Sequence, residues 1–152
     1  MYACGLRISE AANLEIGAID RANMQLRIIG KGDRERLVPL PQPVLDGLRE
    51  LWKTHRNPRW LFPNRSGAPA NQQVLRRTFQ DAARAAGIKR RVTPHALRHS
   101  YATRLLESAV DTRVVQILLG HQSIASTAIY THLTEPIRAK LRTVLDELMS
   151  GL

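Results

Sequence analysis

The sequence has one cysteine, Cys4, among 152 residues. A single thiol supports neither a disulfide framework nor a zinc cluster. No apolar run approaches the length of a membrane span. The opening stretch "MYACGLRISE" lacks the long apolar centre of a secretory signal. A cytoplasmic location without membrane attachment is therefore expected. There is no internal repeat, low-complexity tract or obvious linker. Acidic residues are also short: 13 Asp and Glu face 23 Lys and Arg, a formal net charge of +10. That excess favours a polyanionic partner, nucleic acid first. An anionic membrane surface fits less well, because no long basic amphipathic helix stands out.

What is present is enough for one domain with a sizeable core: 152 residues, 43% of them hydrophobic. "RISEAANL" reads as a short helix. Met24–Ile29 and Arg36–Leu40 alternate apolar and polar residues around the Gly-rich turn "GKGDRE", the pattern of a β-hairpin. "GAID" can add a third short strand, and Pro39 and Pro41 end the sheet. Val44, Leu45, Leu48, Leu51 and Trp52 then fall at helical spacing. "WLFPNRSGAP" reads as a loop. A helix from "NQQVL" closes on Gly87, and another starts with Thr93 as N-cap and Pro94 in its first turn. A helix from Asp111 stops at Gly120, and a short one begins at Ser123. A last amphipathic helix, "TEPIRAKLRTVLDELM", is apolar at Ile137, Leu141, Val144, Leu145 and Leu148. The expected fold is α+β, mainly helical with a small antiparallel three-stranded sheet.

Several residues can carry chemistry. His95 and Arg98 are three apart and share a helix face, a pairing suited to phosphate. His95 and His99 could pair on a metal. However, Ala96 stands where a zinc-protease motif has glutamate, and no further ligand cluster exists, so no metal is expected. Lys31 sits at the hairpin tip, where it can enter a groove or protonate a leaving oxygen. "GKGDRER" does not match a P-loop. Arg7 and Glu10 form either a surface ion pair of little value or an arginine held in place by a carboxylate. Tyr130 follows His121 by nine residues. A free tyrosine has a pKa of about 10, so only about one in a thousand is ionised at pH 7, and a nucleophilic tyrosine needs a base or cations nearby. Tyr101 falls between Leu97 and Leu105 at helical spacing and reads as core, and Tyr2 is terminal. The stretch "DTRVVQILLGHQSIASTAIYTH" has a helix-turn-helix outline, but "IASTAIYTH" offers almost no base-reading side chains. A helix delivering one tyrosine fits it better.

Taken together, "ACGLRISEAANL", "IGKGDRERLVPLP", "TPHALRHSYAT" and "ILLGHQSIASTAIYTHL" resemble, in order, the motifs of tyrosine recombinases, the phage-integrase and Xer-like family. The resemblance covers nearly the whole chain. It implies the fold of these DNA breaking-and-rejoining catalytic domains and fills all six active-site positions: Arg7, Lys31, His95, Arg98, His121 and Tyr130, with Glu10 in support. It also implies that Arg7, Arg98 and His121 hold a DNA phosphate, Tyr130 attacks it, His95 takes the tyrosine proton and Lys31 protonates the leaving 5′ oxygen. No cofactor is implied, because the covalent 3′-phosphotyrosine keeps the phosphodiester energy.

Family members usually carry an N-terminal DNA-clamping domain and a helix before the first arginine block. The expectation is therefore that 1–152 is a catalytic domain cut at its N-terminal edge, without the clamp. Double-stranded DNA is the expected partner. Other recombinase protomers are also expected, docked through the C-terminal helix, whose apolar stripe could otherwise stay bare. Two other readings stay open: a truncated DNA-binding regulator without recombination activity, and a type IB topoisomerase-like enzyme. A ribonuclease-like His/Lys site is more distant.

Overall fold

A computed structural model describes residues 1–30, 35–120 and 135–150. The architecture is α+β. In chain order it runs α1 (Ile8–Ala12), a 3-10 turn (Ile16–Ala18), β1 (Ile19–Asp20), β2 (Gln25–Ile29), β3 (Glu35–Pro39), α2 (Gln42–His55), α3 (Gln72–Ala85), α4 (Pro94–Glu107), α5 (Thr112–Leu119) and α6 (Glu135–Ser150). The sheet is antiparallel in the order β1-β2-β3, with Leu26 opposite Val38 and Ile28 opposite Arg36.

The hairpin forms as the alternation requires. Leu26, Ile28, Arg36 and Val38 are buried, while Arg27 and Ile29 point outward. Of "GAID", only Ile19–Asp20 is strand, since Gly17 and Ala18 belong to the 3-10 turn. Met24 stays outside β2 with φ +51, and Leu40 stays outside β3. The loop after α2 is tied down by two isolated bridges, Glu15 to Trp60 and Pro63 to Pro69.

Capping sets the helix limits. Asp111 accepts from the backbone N–H of Arg113 and Val114 at 2.8 and 3.3 Å, and Gly120 ends α5 with φ +65. Gly87 follows α3 with φ +73. Thr93 holds the N-cap position of α4 in extended geometry but makes no side-chain cap bond, so Pro94 carries the start signal there.

Two apolar clusters flank the sheet. One joins Leu26, Ile28 and Val38 to Leu6, Leu14, Leu45 and Leu61. The other joins α4, α5 and α6 through Tyr101, Leu105, Leu118, Leu141 and Leu145, with Leu37 packed against it. Each fully buried side chain of this size stabilises the fold by about 1.5–3 kcal/mol. The stripe of α6 is thus turned into its own domain at Leu141 and Leu145, and only Ile137 among its apolar positions is well exposed. No helix among the described residues is long and apolar enough to cross a membrane.

Candidate functional site

Arg7, Arg36 and Arg98 come from three separate elements and meet at the C-terminal end of α5. A helix leaves its last carbonyls without intrahelical partners, and they carry partial negative charge. Here three successive carbonyls each receive a different arginine. Arg36 Nε donates to Leu118 O at 3.0 Å, Arg98 Nη2 donates to Leu119 O, and Arg7 Nη2 donates to Gly120 O at 3.2 Å.

Local sequence explains how each side chain gets there. Arg7 is the N-cap residue of α1, and the Glu10 carboxylate accepts its backbone N–H at 2.7 Å, the returning half of a capping box. Arg98 lies one turn into α4 and is 4% exposed. Its Nη1 donates to Gly5 O. Gly5 has φ +57, and a Cβ there would lie 2.7 Å from two ring carbons of the buried Tyr101. Only glycine lets the backbone pass that ring and present its carbonyl to Arg98.

Glu10 links the arginines. It accepts from Arg7 Nη1 at 2.9 Å and from Arg36 Nη1 and Nη2 at 2.8 and 2.7 Å. Burial alone would push its pKa up. The hydrogen bonds and charge of Arg36, together with the bonds from Arg7, outweigh that and hold the carboxyl at about 2, below the usual 4.5. Three guanidiniums against one carboxylate leave the cluster strongly positive. Burial, then the charges of Arg7 and Arg36, lower the Arg98 guanidinium to about 10, so it stays cationic at neutral pH. Arg7 is the outward member, with a side chain 42% exposed. It lines an open cleft of about 980 Å³ with Glu10, Arg36 and Gly120.

The folded pKa of Glu10 lies below its unfolded value. Its pairing therefore stabilises the fold above about pH 5, and this contribution, up to about 3 kcal/mol, is lost as pH falls toward about 2. Glu10→Gln is expected to flatten the acid limb of an unfolding titration over that window. A limb as steep as the wild type's would contradict the pairing.

Arg7, Glu10 and Arg98 therefore converge. His95 does not join them: it is exposed in the first turn of α4 and makes no hydrogen bond to another described residue. His99 is exposed too, and the described residues contain no group of three metal-ligand side chains. Lys31, His121, Tyr130 and the helix expected from Ser123 lie outside the described residues. Arg36 was not singled out in the sequence as a site residue. Its signal was a charged residue on the same strand face as Val38, the face that turns inward.

Residues 1–136 match the phage integrase family. The chain is 43% identical over 141 residues to the tyrosine recombinase XerD of Lacticaseibacillus casei, covering 88% of this chain and 48% of that one. It is 40% identical over 146 residues to the tyrosine recombinase XerC of Haemophilus ducreyi, covering 93% and 48%. It thus spans about half the length of these relatives. Among solved structures, the XerH site-specific recombinase bound to its difH substrate in a pre-cleavage complex aligns with a TM-score of 0.73. The identity is 30%, over 92% of this chain and 43% of that one.

Proposed function

The chain belongs to the phage integrase family of tyrosine recombinases, and from that premise we propose that residues 1–152 form the catalytic domain of a site-specific DNA recombinase. Its substrate is double-stranded DNA, and it cleaves and rejoins strands through a 3′-phosphotyrosine. The observation that carries this reading is the meeting of Arg7 and Arg98 on the carbonyls of Gly120 and Leu119, the two residues directly before His121. Two preorganised guanidiniums suit a phosphate whose charge grows in the transition state, and they can serve there in place of a metal ion.

In this mechanism Arg7, Arg98 and His121 hold the non-bridging oxygens. The Tyr130 oxygen attacks phosphorus while the bond to the 5′ oxygen breaks. His95 takes the tyrosine proton and Lys31 gives one to the departing 5′ oxygen. The new phosphotyrosine bond keeps the energy of the broken one. A 5′-hydroxyl from another strand then reverses the step. Other protomers supply the paired DNA strands; because Leu141 and Leu145 of α6 are buried in their own domain, the exposed Ile137 end is the part of that helix left to meet them. XerH, bound to its difH substrate in a pre-cleavage complex, gives the reading a related precedent.

Incubation with a nicked duplex that loses its 5′-hydroxyl product tests the reading. A covalent protein–DNA band is expected. Binding without any covalent band would favour a DNA-binding regulator instead. Lys31 has its own test. General acid catalysis contributes about 10²–10⁴ in rate, so Lys31→Ala should lose on that order with ordinary DNA. It should lose far less when the 5′-bridging oxygen is sulfur, which leaves without a proton. Equal losses on both substrates would refute proton donation.

A further inference from the structure

We propose that Arg36 is a positioning residue for the phosphate clamp, fixing Arg7 through Glu10 and through the turn at Gly120. The inference rests on the phosphate-holding role proposed for Arg7. Arg36 is 3% exposed and has three bonded nitrogens, so it cannot be the outward donor itself. It lies against the two groups that, among the described residues, accept from the Arg7 guanidinium. One is Glu10, whose Oε1 accepts from the Nη1 atoms of both arginines. Oε2 accepts from the Arg7 backbone N–H and Arg36 Nη2. The carboxylate therefore cannot turn without breaking several bonds at once.

The other is Gly120, whose carbonyl accepts from Arg7 Nη2. A Cβ on Gly120 would lie 3.1 Å from Arg36 Cδ and 3.3 Å from its Nε and Nη1, so the Arg36 side chain forms the wall of that left-handed turn. Arg36 Nε on Leu118 O ties the same wall to α5. One planar fork thus sets the positions of both anchors of Arg7.

Stability alone does not account for such a residue. A buried ion pair rarely stabilises a fold more than apolar side chains of the same volume. The site instead demands a fork: two parallel donors to one carboxylate and a third to a carbonyl. A lysine ammonium has the charge but not that geometry.

The test is Arg36→Lys in the full chain, with guanidinium nitrogen NMR, DNA affinity and single-turnover adduct formation on the nicked duplex. In the wild type, Arg7 and Arg36 should show slow guanidinium rotation, with resolved Nη signals. In Arg36→Lys, the Arg7 signals should collapse to the averaged form while the backbone spectrum stays folded. The adduct rate should fall about 10²-fold, as for a misplaced catalytic group, with the Kd for duplex changed less than about twofold. Arg7 signals that stay resolved in the folded variant would overturn the proposal. So would a rate loss matched by equal losses of affinity and folded fraction. If Arg36→Lys does not fold, the wild-type spectrum decides: rapidly averaged Arg7 signals overturn the proposal, and resolved ones support it. If the wild type forms no adduct, the recombinase reading fails, and the NMR arm alone still decides whether Arg36 fixes Arg7.

Discussion

Tyr130→Phe is expected to abolish covalent attachment to DNA. The adduct needs the phenolic oxygen, which phenylalanine lacks. The expectation is specific to this residue. Tyr101 is fully buried in the second apolar cluster, where its ring packs against Gly5, and it cannot reach a phosphate without unfolding the domain. Tyr2 is the third tyrosine of the chain and lies outside the matched motifs. DNA affinity should change little, since binding rests mainly on cations meeting phosphates. Gel analysis of the nicked-duplex reaction checks this, and a covalent band from Tyr130→Phe as strong as the wild type's would remove Tyr130 from the mechanism.

The second large effect is expected at Arg98. Loss of one preorganised donor in a site of this kind costs about 10²–10³ in rate. Arg98→Ala should show that loss in single-turnover cleavage at saturating DNA. It should also lower stability. Arg98 is buried and donates to Gly5 O and Leu119 O, and each buried carbonyl left without its donor costs about 1–3 kcal/mol. The rate must therefore be compared at equal folded fraction, measured by denaturant titration. Arg98→Lys should keep the charge yet recover only part of the rate, because one ammonium cannot reach two carbonyls and still face a ligand. Full activity in either variant would exclude Arg98 from the phosphate site.

Much of the fold was legible because local rules and tertiary packing agree. The alternation in "QLRII" and "ERLVP" set the hairpin and its inward face. Asp111 and Gly120 mark both ends of α5 by local capping, independently of packing. The pairing of Arg7 with Glu10 was visible as a three-residue spacing, though it could equally have been a solvated surface pair.

What settles that choice is Arg36, which meets Glu10 across a separation of 26 residues. No local spacing reports a contact of that range. The contact of Gly5 with Tyr101 was hidden for the same reason, since it depends on where α4 lies against the residues before α1. The apolar stripe of α6 was legible as a stripe, but its covering surface was not. That surface is built from Tyr101, Leu105 and Leu118, which reach it only after α4 and α5 have packed together. His95 shows the limit of a shared helix face. Three residues from Arg98 it has the right spacing, yet one side chain is buried and the other exposed.

The proposed function requires that this chain break DNA by attaching itself to it through Tyr130. Mass spectrometry of the adduct trapped on nicked duplex, after protease digestion, tests it most directly. The expected result is a single modified peptide, with the 3′-phosphate of the cleaved strand on the oxygen of Tyr130. A 5′-linked nucleotide, a modification on any other residue, or DNA that is bound but never covalently attached would contradict it.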